Sequence, residues 1–147
     1  MNENLSKKIG LAITPQAMTN SATLTANIDT LGADYATIIV PVSTGVNTNA
    51  VGPTLVLKES DDTVVTNFAT WASGCTQAAV VNSSAKNFVY QVDTRTRKRY
   101  IRLSITSATT TNDNITTGAV YSLGRLSVSQ PAASSMLAST NDGVVVL

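Results

Sequence analysis

The sequence predicts an all-β chain: an antiparallel β-sandwich or jelly-roll-like single domain with extended N- and C-terminal arms. Three observations predict it. Apolar residues alternate with Thr, Ser and Asn in short runs, as where Leu24, Ala26 and Ile28 interleave with Thr23, Thr25 and Asn27; this period of two marks a half-buried strand. Turn signals built from Gly, Asn, Asp and Ser separate these runs, and no segment has the longer period of a helix. Only 13% of the residues are charged, roughly half the usual quarter. The polar surface is instead made of short side chains, which compete with a helical backbone for hydrogen bonds and sit well on a pleated sheet.

Taken in order, residues 1–8 read as a polar arm, residues 9–130 as the sandwich and residues 131–147 as a tail. Ile9 to Ile13 form a short strand ended by Pro15, and residues 22–28 form the next. The chain is organised around residues 28–42. A turn at Asp29 to Gly32 leads into Tyr35, Ala36, Thr37, Ile38, Ile39, Val40, Pro41 and Val42, an uncharged run with apolar residues at both parities. A strand buried on one face would alternate more cleanly, so this one is expected to be covered on both, by the core and by a second copy or another partner.

Residues 43–53 read as a loop. Leu55 and Leu57 mark a strand, Ser60-Asp61-Asp62-Thr63 a hairpin turn and residues 64–68 its returning strand. Trp71 is expected to anchor the edge of the core, and Ala78 to Val81 to form a short apolar piece. Phe88, Tyr90 and Val92 lie on one strand, residues 94–98 form a charged hairpin turn, and Ile101, Leu103 and Ile105 give the clearest amphipathic strand. Residues 107–117 read as a loop and residues 120–128 as the last long strand, with Gly124 as a bulge signal. Val144, Val145, Val146 and Leu147 end the chain without charge, and are expected to dock on this subunit or a neighbour.

The chemistry is largely exclusion. No histidine occurs, which removes the commonest general base and the commonest zinc ligand. The lone Cys75 has no basic neighbour to activate it and cannot form an internal disulfide. No glycine-rich phosphate loop is present. Glu59, Asp61 and Asp62 form one acidic cluster, read as turn chemistry rather than a calcium site. Sequons at Asn4, Asn82 and Asn114 carry little without a secretory leader. No catalytic, cofactor-binding or metal-binding residue is assigned, and the chain is not expected to be an enzyme.

The most pronounced charge feature is the run Arg95, Arg97, Lys98, Arg99 and Arg102, half of the 10 Lys and Arg residues. A net charge of +1 and few interleaved aromatics argue against nucleic acid as the partner. No apolar h-region follows Lys7 and Lys8, and no run approaches the roughly 18 apolar residues of a membrane helix. The expectation is a protein made in a cytoplasm, with no membrane partner. The candidate interface residues are therefore Arg95, Arg97, Lys98, Arg99, Arg102 and the terminal Val144, Val145, Val146 and Leu147.

Three segments occur in a fixed order: Asp29-Thr30-Leu31-Gly32-Ala33-Asp34-Tyr35, then Leu55-Val56-Leu57-Lys58-Glu59-Ser60-Asp61-Asp62, then Arg99-Tyr100-Ile101-Arg102-Leu103. This ordered set resembles a pattern met in head decoration, or cement, proteins of tailed bacteriophages. The resemblance implies a small β-sandwich virion protein on the capsid exterior, with the major capsid protein as partner and no catalytic residue. Self-association is expected, a trimer ahead of a dimer. A tail, neck or fibre component of the virion is the alternative, and a carbohydrate-binding or adhesive β-sandwich a further one. That last reading requires Trp71, Tyr35, Tyr90, Tyr100 or Tyr121 on an open face.

Overall fold

The structure, a computed structural model, describes residues 7–19, 21–43, 53–71, 76–77, 85–107, 115–124 and 143–146. Ten strands run in the order β1 (Lys7–Met18), β2 (Thr23–Asp29), β3 (Tyr35–Val42), β4 (Thr54–Ser60), β5 (Ala69–Thr70), β6 (Thr76–Gln77), β7 (Lys86–Asp93), β8 (Tyr100–Thr106), β9 (Ile115–Gly124) and β10 (Gly143–Val146). One sheet has the order β1-β9-β3-β7-β10; the other has the order β2-β8-β4-β5, with β6 also on β4. The antiparallel pairs nest as β1 with β9, β2 with β8, β3 with β7, and β4 with β5 and β6. This is the wrapping of a jelly roll, with β10 added parallel to β7 on one edge.

The period of two becomes the core. Ala36, Ile38, Val40 and Val42 of β3 face Leu55 and Leu57 of β4 and Ile101, Leu103 and Ile105 of β8 across the sandwich, all buried, and Phe88, Tyr90 and Val92 of β7 join them. Trp71 is buried at the edge, as its composition context suggested. Several sequence expectations shift. β1 does not stop before Pro15 but runs from Lys7 to Met18, because register breaks between Leu11 and Ile13, and between Ile13 and Gln16, absorb the proline. The stretch 64–68 is not a full returning strand: Asp62 accepts the Val64 N–H at 2.9 Å and the Asn67 amide at 2.8 Å, holding a 3-10 turn at Val65–Asn67 before the short β5. β9 starts at Ile115, inside the expected loop. The Cys75 and Ala78–Val81 readings lie outside the described residues.

The largest correction concerns residues 94–99. They do not close a hairpin: β7 belongs to one sheet and β8 to the other, so this segment crosses the sandwich, as residues 30–34 do between β2 and β3. The two crossovers bind each other. Thr30 donates its N–H and its hydroxyl to the Arg99 carbonyl, at 2.9 and 2.7 Å. Thr94 donates its N–H to the Asp34 carbonyl at 2.9 Å and its hydroxyl to the Ala33 carbonyl at 2.6 Å. Gly32 supplies the positive φ of 78° that the first crossover needs.

Leu103, wholly buried between the sheets, tests the core. Leu103→Ala should lower unfolding free energy by about 2–5 kcal/mol in urea titration, whereas the same change at Leu31, 71% exposed, should move it by less than about 0.5 kcal/mol.

Candidate functional site

The five cations of the basic run gather at the crossover end, but most of their charges are matched. Arg95 chelates Asp93 through Nε and Nη2 at 2.9 and 2.5 Å. Arg97 approaches Glu59 at 4.0 Å, and the Lys98 ammonium lies 3.2 Å from Asp61. Glu59 also accepts the Lys98 N–H at 3.2 Å. Arg99 chelates Asp29 at 3.0 and 2.7 Å. Arg102 donates to the Asn27 side-chain carbonyl at 2.8 Å. Four of the five cations thus face a carboxylate, and the acidic cluster seen in the sequence is consumed in these pairs and in the Asp62 turn.

Each arginine of this run also covers an aromatic ring. Guanidinium carbons lie 5.1 Å from the Tyr35 ring centre for Arg95, 4.6 Å from Trp71 for Arg97, 4.8 Å from Tyr100 for Arg99 and 4.2 Å from Phe68 for Arg102. Stacked, partly exposed pairs of this kind contribute on the order of 0.5–1 kcal/mol each. Apart from the adjacent Arg99 and Tyr100, no sequence signal exposes these pairings, because the other three rings come from other segments. The rings a sugar platform would need are therefore occupied: Trp71 and Tyr90 are buried, Tyr35 and Tyr100 lie under guanidinium groups, and Tyr121 packs over Gly10 against the core.

Ion pairing sets the titration of this end. Arg95 holds the Asp93 carboxyl down at about 2, through its side-chain hydrogen bonds first. Arg99 likewise lowers Asp29, and the Asn67 amide lowers Asp62. Among the described residues no group of three His, Cys, Asp or Glu side chains could hold a metal ion, and no helix is long and apolar enough to cross a membrane.

The terminal valines sit on β10. Val144 pairs with Val89, Val145 with Tyr90 and Val146 with Gln91, so this segment adds to the β7 edge of its own subunit; Leu147 lies outside the described residues. A second surface emerges that the charge pattern did not mark. On the outer side of the β1 sheet, Leu11, Val120, Ile39 and Val89 stand in one cross-strand row, and Val144 holds the next register position. Leu11 is 56% exposed, Val120 39% and Ile39 38%, with Ile9 in the adjacent row at 78%. Among the described residues β3 is covered on one face only. The two-sided apolar pattern of the sequence is the signal for this exposed row.

One row further along, the same face carries a hollow of about 320 Å³ between Pro15, Pro41, Asn87 and Gly118. Gly118 lets β1 approach β9 closely at its rim: a Cβ there would lie 3.0 Å from the Ile13 carbonyl and 3.1 Å from Pro15. Pro41 has no N–H for the sheet, and its carbonyl is taken by the Thr117 hydroxyl at 2.8 Å.

Solved structures are similar to this one. A bacteriophage CBA120 tailspike protein 4 domain matches with a TM-score of 0.52 at 10% identity, over 80% of this chain and 19% of that one. The infectious bursal disease virus VP2 subviral particle matches at 0.45 and 13% identity, over 80% and 32%. The xylan-binding module CBM15 matches at 0.47 and 12%, over 87% and 96%. The chain therefore spans about a fifth of the tailspike chain. No protein-family model and no curated protein sequence matches it. At 10% identity the tailspike likeness is one of fold.

The lowered carboxyls define an acid transition. The stability that the lowered Asp93 carboxyl contributes is present above its unfolded value of 3.8 and is lost as the pH falls through about 2. Unfolding free energy measured by urea titration should fall over that window, and Asp93→Asn should flatten the fall while lowering stability at neutral pH.

Proposed function

We propose that this protein is a structural component of a tailed-phage virion, a decoration protein that binds the outside of the assembled capsid and stabilises it. The observation that carries this reading is the convergence of the three resembling segments. Asp29, Tyr100 and Ser60 stand in a single row across the neighbouring strands β2, β8 and β4. Arg99 of the third segment chelates Asp29 of the first, and Thr30 of the first bonds the Arg99 carbonyl. Segments scattered through the sequence are thus one structural unit, at one end of a jelly roll.

The tailspike and VP2 likenesses are compatible with a virion setting through the fold. The major capsid protein is the partner in this reading, and copies of the chain associate on it. Many weak contacts on a repeating lattice multiply modest affinities, so neither catalysis nor a deep cleft is required. Placement on the tail or neck differs in copy number: hundreds per particle for a coat, a dozen or fewer elsewhere. The occupied rings of Trp71, Tyr35 and Tyr100 disfavour the sugar-binding reading.

The experiment is heat or osmotic challenge of particles with and without the protein. Particles lacking it should release their genome at lower stress, and added protein should restore them; equal resistance would overturn the reading. Within it, the Lys98 tip is the candidate shell contact that can be altered without unfolding, since its pair with the 75%-exposed Asp61 is worth under about 1 kcal/mol. Lys98→Glu should keep the urea midpoint and weaken particle binding. Unchanged binding at moderate salt would remove the tip from the interface. Arg97→Glu would be a poorer test, since it also breaks the Glu59 and Trp71 contacts.

A further inference from the structure

We infer that the outer face of the β1 sheet is the contact between two copies of this chain, with the Leu11–Val120–Ile39 row of each seated in the hollow of the other. This names the surface for the self-association in the proposed function and rests on that reading.

The argument begins with shape. The ridge and the hollow lie on one face, one cross-strand row apart, because side chains on a strand repeat every second residue. Ile39 stands on the ridge, and Pro41, two positions on in the same strand, lines the hollow. Consider a two-fold axis lying across the strands midway between these rows. It reverses position along the strand and leaves position across the sheet unchanged. Ile39 of one copy then faces Pro41 of its partner, and the ridge of each copy fills the hollow of the other. A face that holds both halves of a fit is self-complementary, as a two-fold contact requires. A shell protein would need only one half.

Charge and area agree. The row of Leu11, Val120, Ile39 and Val89 and the neighbouring row of Ile9, Ser122, Thr37 and Gln91 contain no ionisable side chain, and Lys86 is the one ionisable residue among those lining the hollow. Two copies can meet there without burying a charge when the half-buried Lys86 of each hollow carries its ammonium out to water on its flexible stem. From strand spacing and rise, the face measures on the order of 600 Å² per copy. A pair would bury about 1,200 Å², the lower limit for a stable association. The contact is therefore concentration-dependent rather than permanent. It is also dry and apolar at its centre, so it depends little on salt.

Sedimentation velocity of the full chain, from low micromolar to sub-millimolar concentration, reads the prediction. The wild type should shift from monomer to dimer. Ile39→Lys and Val120→Lys should each weaken the dimer roughly tenfold or more, because the ammonium enters an apolar contact. Thr25→Lys, exposed on the opposite sheet, should leave it unchanged. Circular dichroism and the urea midpoint report whether each variant folds. If a central variant does not, Leu11→Lys on the edge strand takes its place. A wild-type monomer throughout, a trimer, or a dimer indifferent to these ridge substitutions would overturn the inference. Particle protection by a strictly monomeric chain would remove this contact and leave the proposed function standing. A ridge-dependent dimer that never binds particles would do the reverse.

Discussion

The structure depends on the mutual hydrogen bonding of its two neighbouring crossovers. A jelly roll must carry its chain from one sheet to the other, and every crossing takes peptide groups out of a ladder. Buried groups left in that state cost about as much as a lost hydrogen bond. Here Thr30 and Thr94, 5% and 7% exposed, each use backbone and hydroxyl donors to satisfy the opposite crossover. The Asp34 N–H is taken by the Gly124 carbonyl at 3.1 Å, which ties β9 to the same point. Strands from both sheets are thereby set relative to one another at one end. The core pairs of Ile38, Leu57 and Leu103 inherit that alignment.

This arrangement explains why so much of the charge of a charge-poor chain gathers at one place. Arg95 and Arg99 flank the second crossover, and their carboxylate partners Asp93 and Asp29 end the strands that enter the two crossings. Each guanidinium closes an ion pair with one edge and lies on a ring with its face. Exposed pairs of this kind contribute little singly. Their geometry still fixes side chains over the sandwich end and keeps Tyr35, Trp71, Phe68 and Tyr100 from open solvent. A basic run in the sequence is consequently not a basic surface in the fold.

The layers of the fold were legible because burial has a period. Leu55 and Leu57, Phe88 and Tyr90, and Ile101 and Leu103 declared their inward faces by alternation alone. What alternation could not convey was sheet membership. Residues 94–98 carry the composition of a hairpin tip, and a tip and a crossover draw on the same turn residues. Likewise Pro15 reads as a strand end unless a bulge accepts it, and Asp62 reads as a hairpin turn until Asn67 folds back to it. The partners of the arginines were illegible for a related reason. Asp29 and Arg99 are 70 positions apart, and only the β2–β8 register brings them together. The apolar row was half legible: the mixed parity of β3 announced apolar side chains on its outer face, but not that Leu11 and Val120 extend them into a row.

These features divide the labour of the molecule. The crossover end satisfies itself: its donors, acceptors and charges are matched within the chain, which leaves limited electrostatic reach for a partner. The outer face of the β1 sheet is the opposite case. Among the described residues it has exposed apolar side chains beside a hollow, at whose rim Gly118 lets Pro15 and the Ile13 carbonyl come close. Removing apolar surface from water is favourable at roughly 25 cal/mol per Å² before association costs are met. Matched surface ions offer no comparable gain. Any association of this chain therefore draws its free energy chiefly from the apolar face, and the matched crossover end contributes orientation.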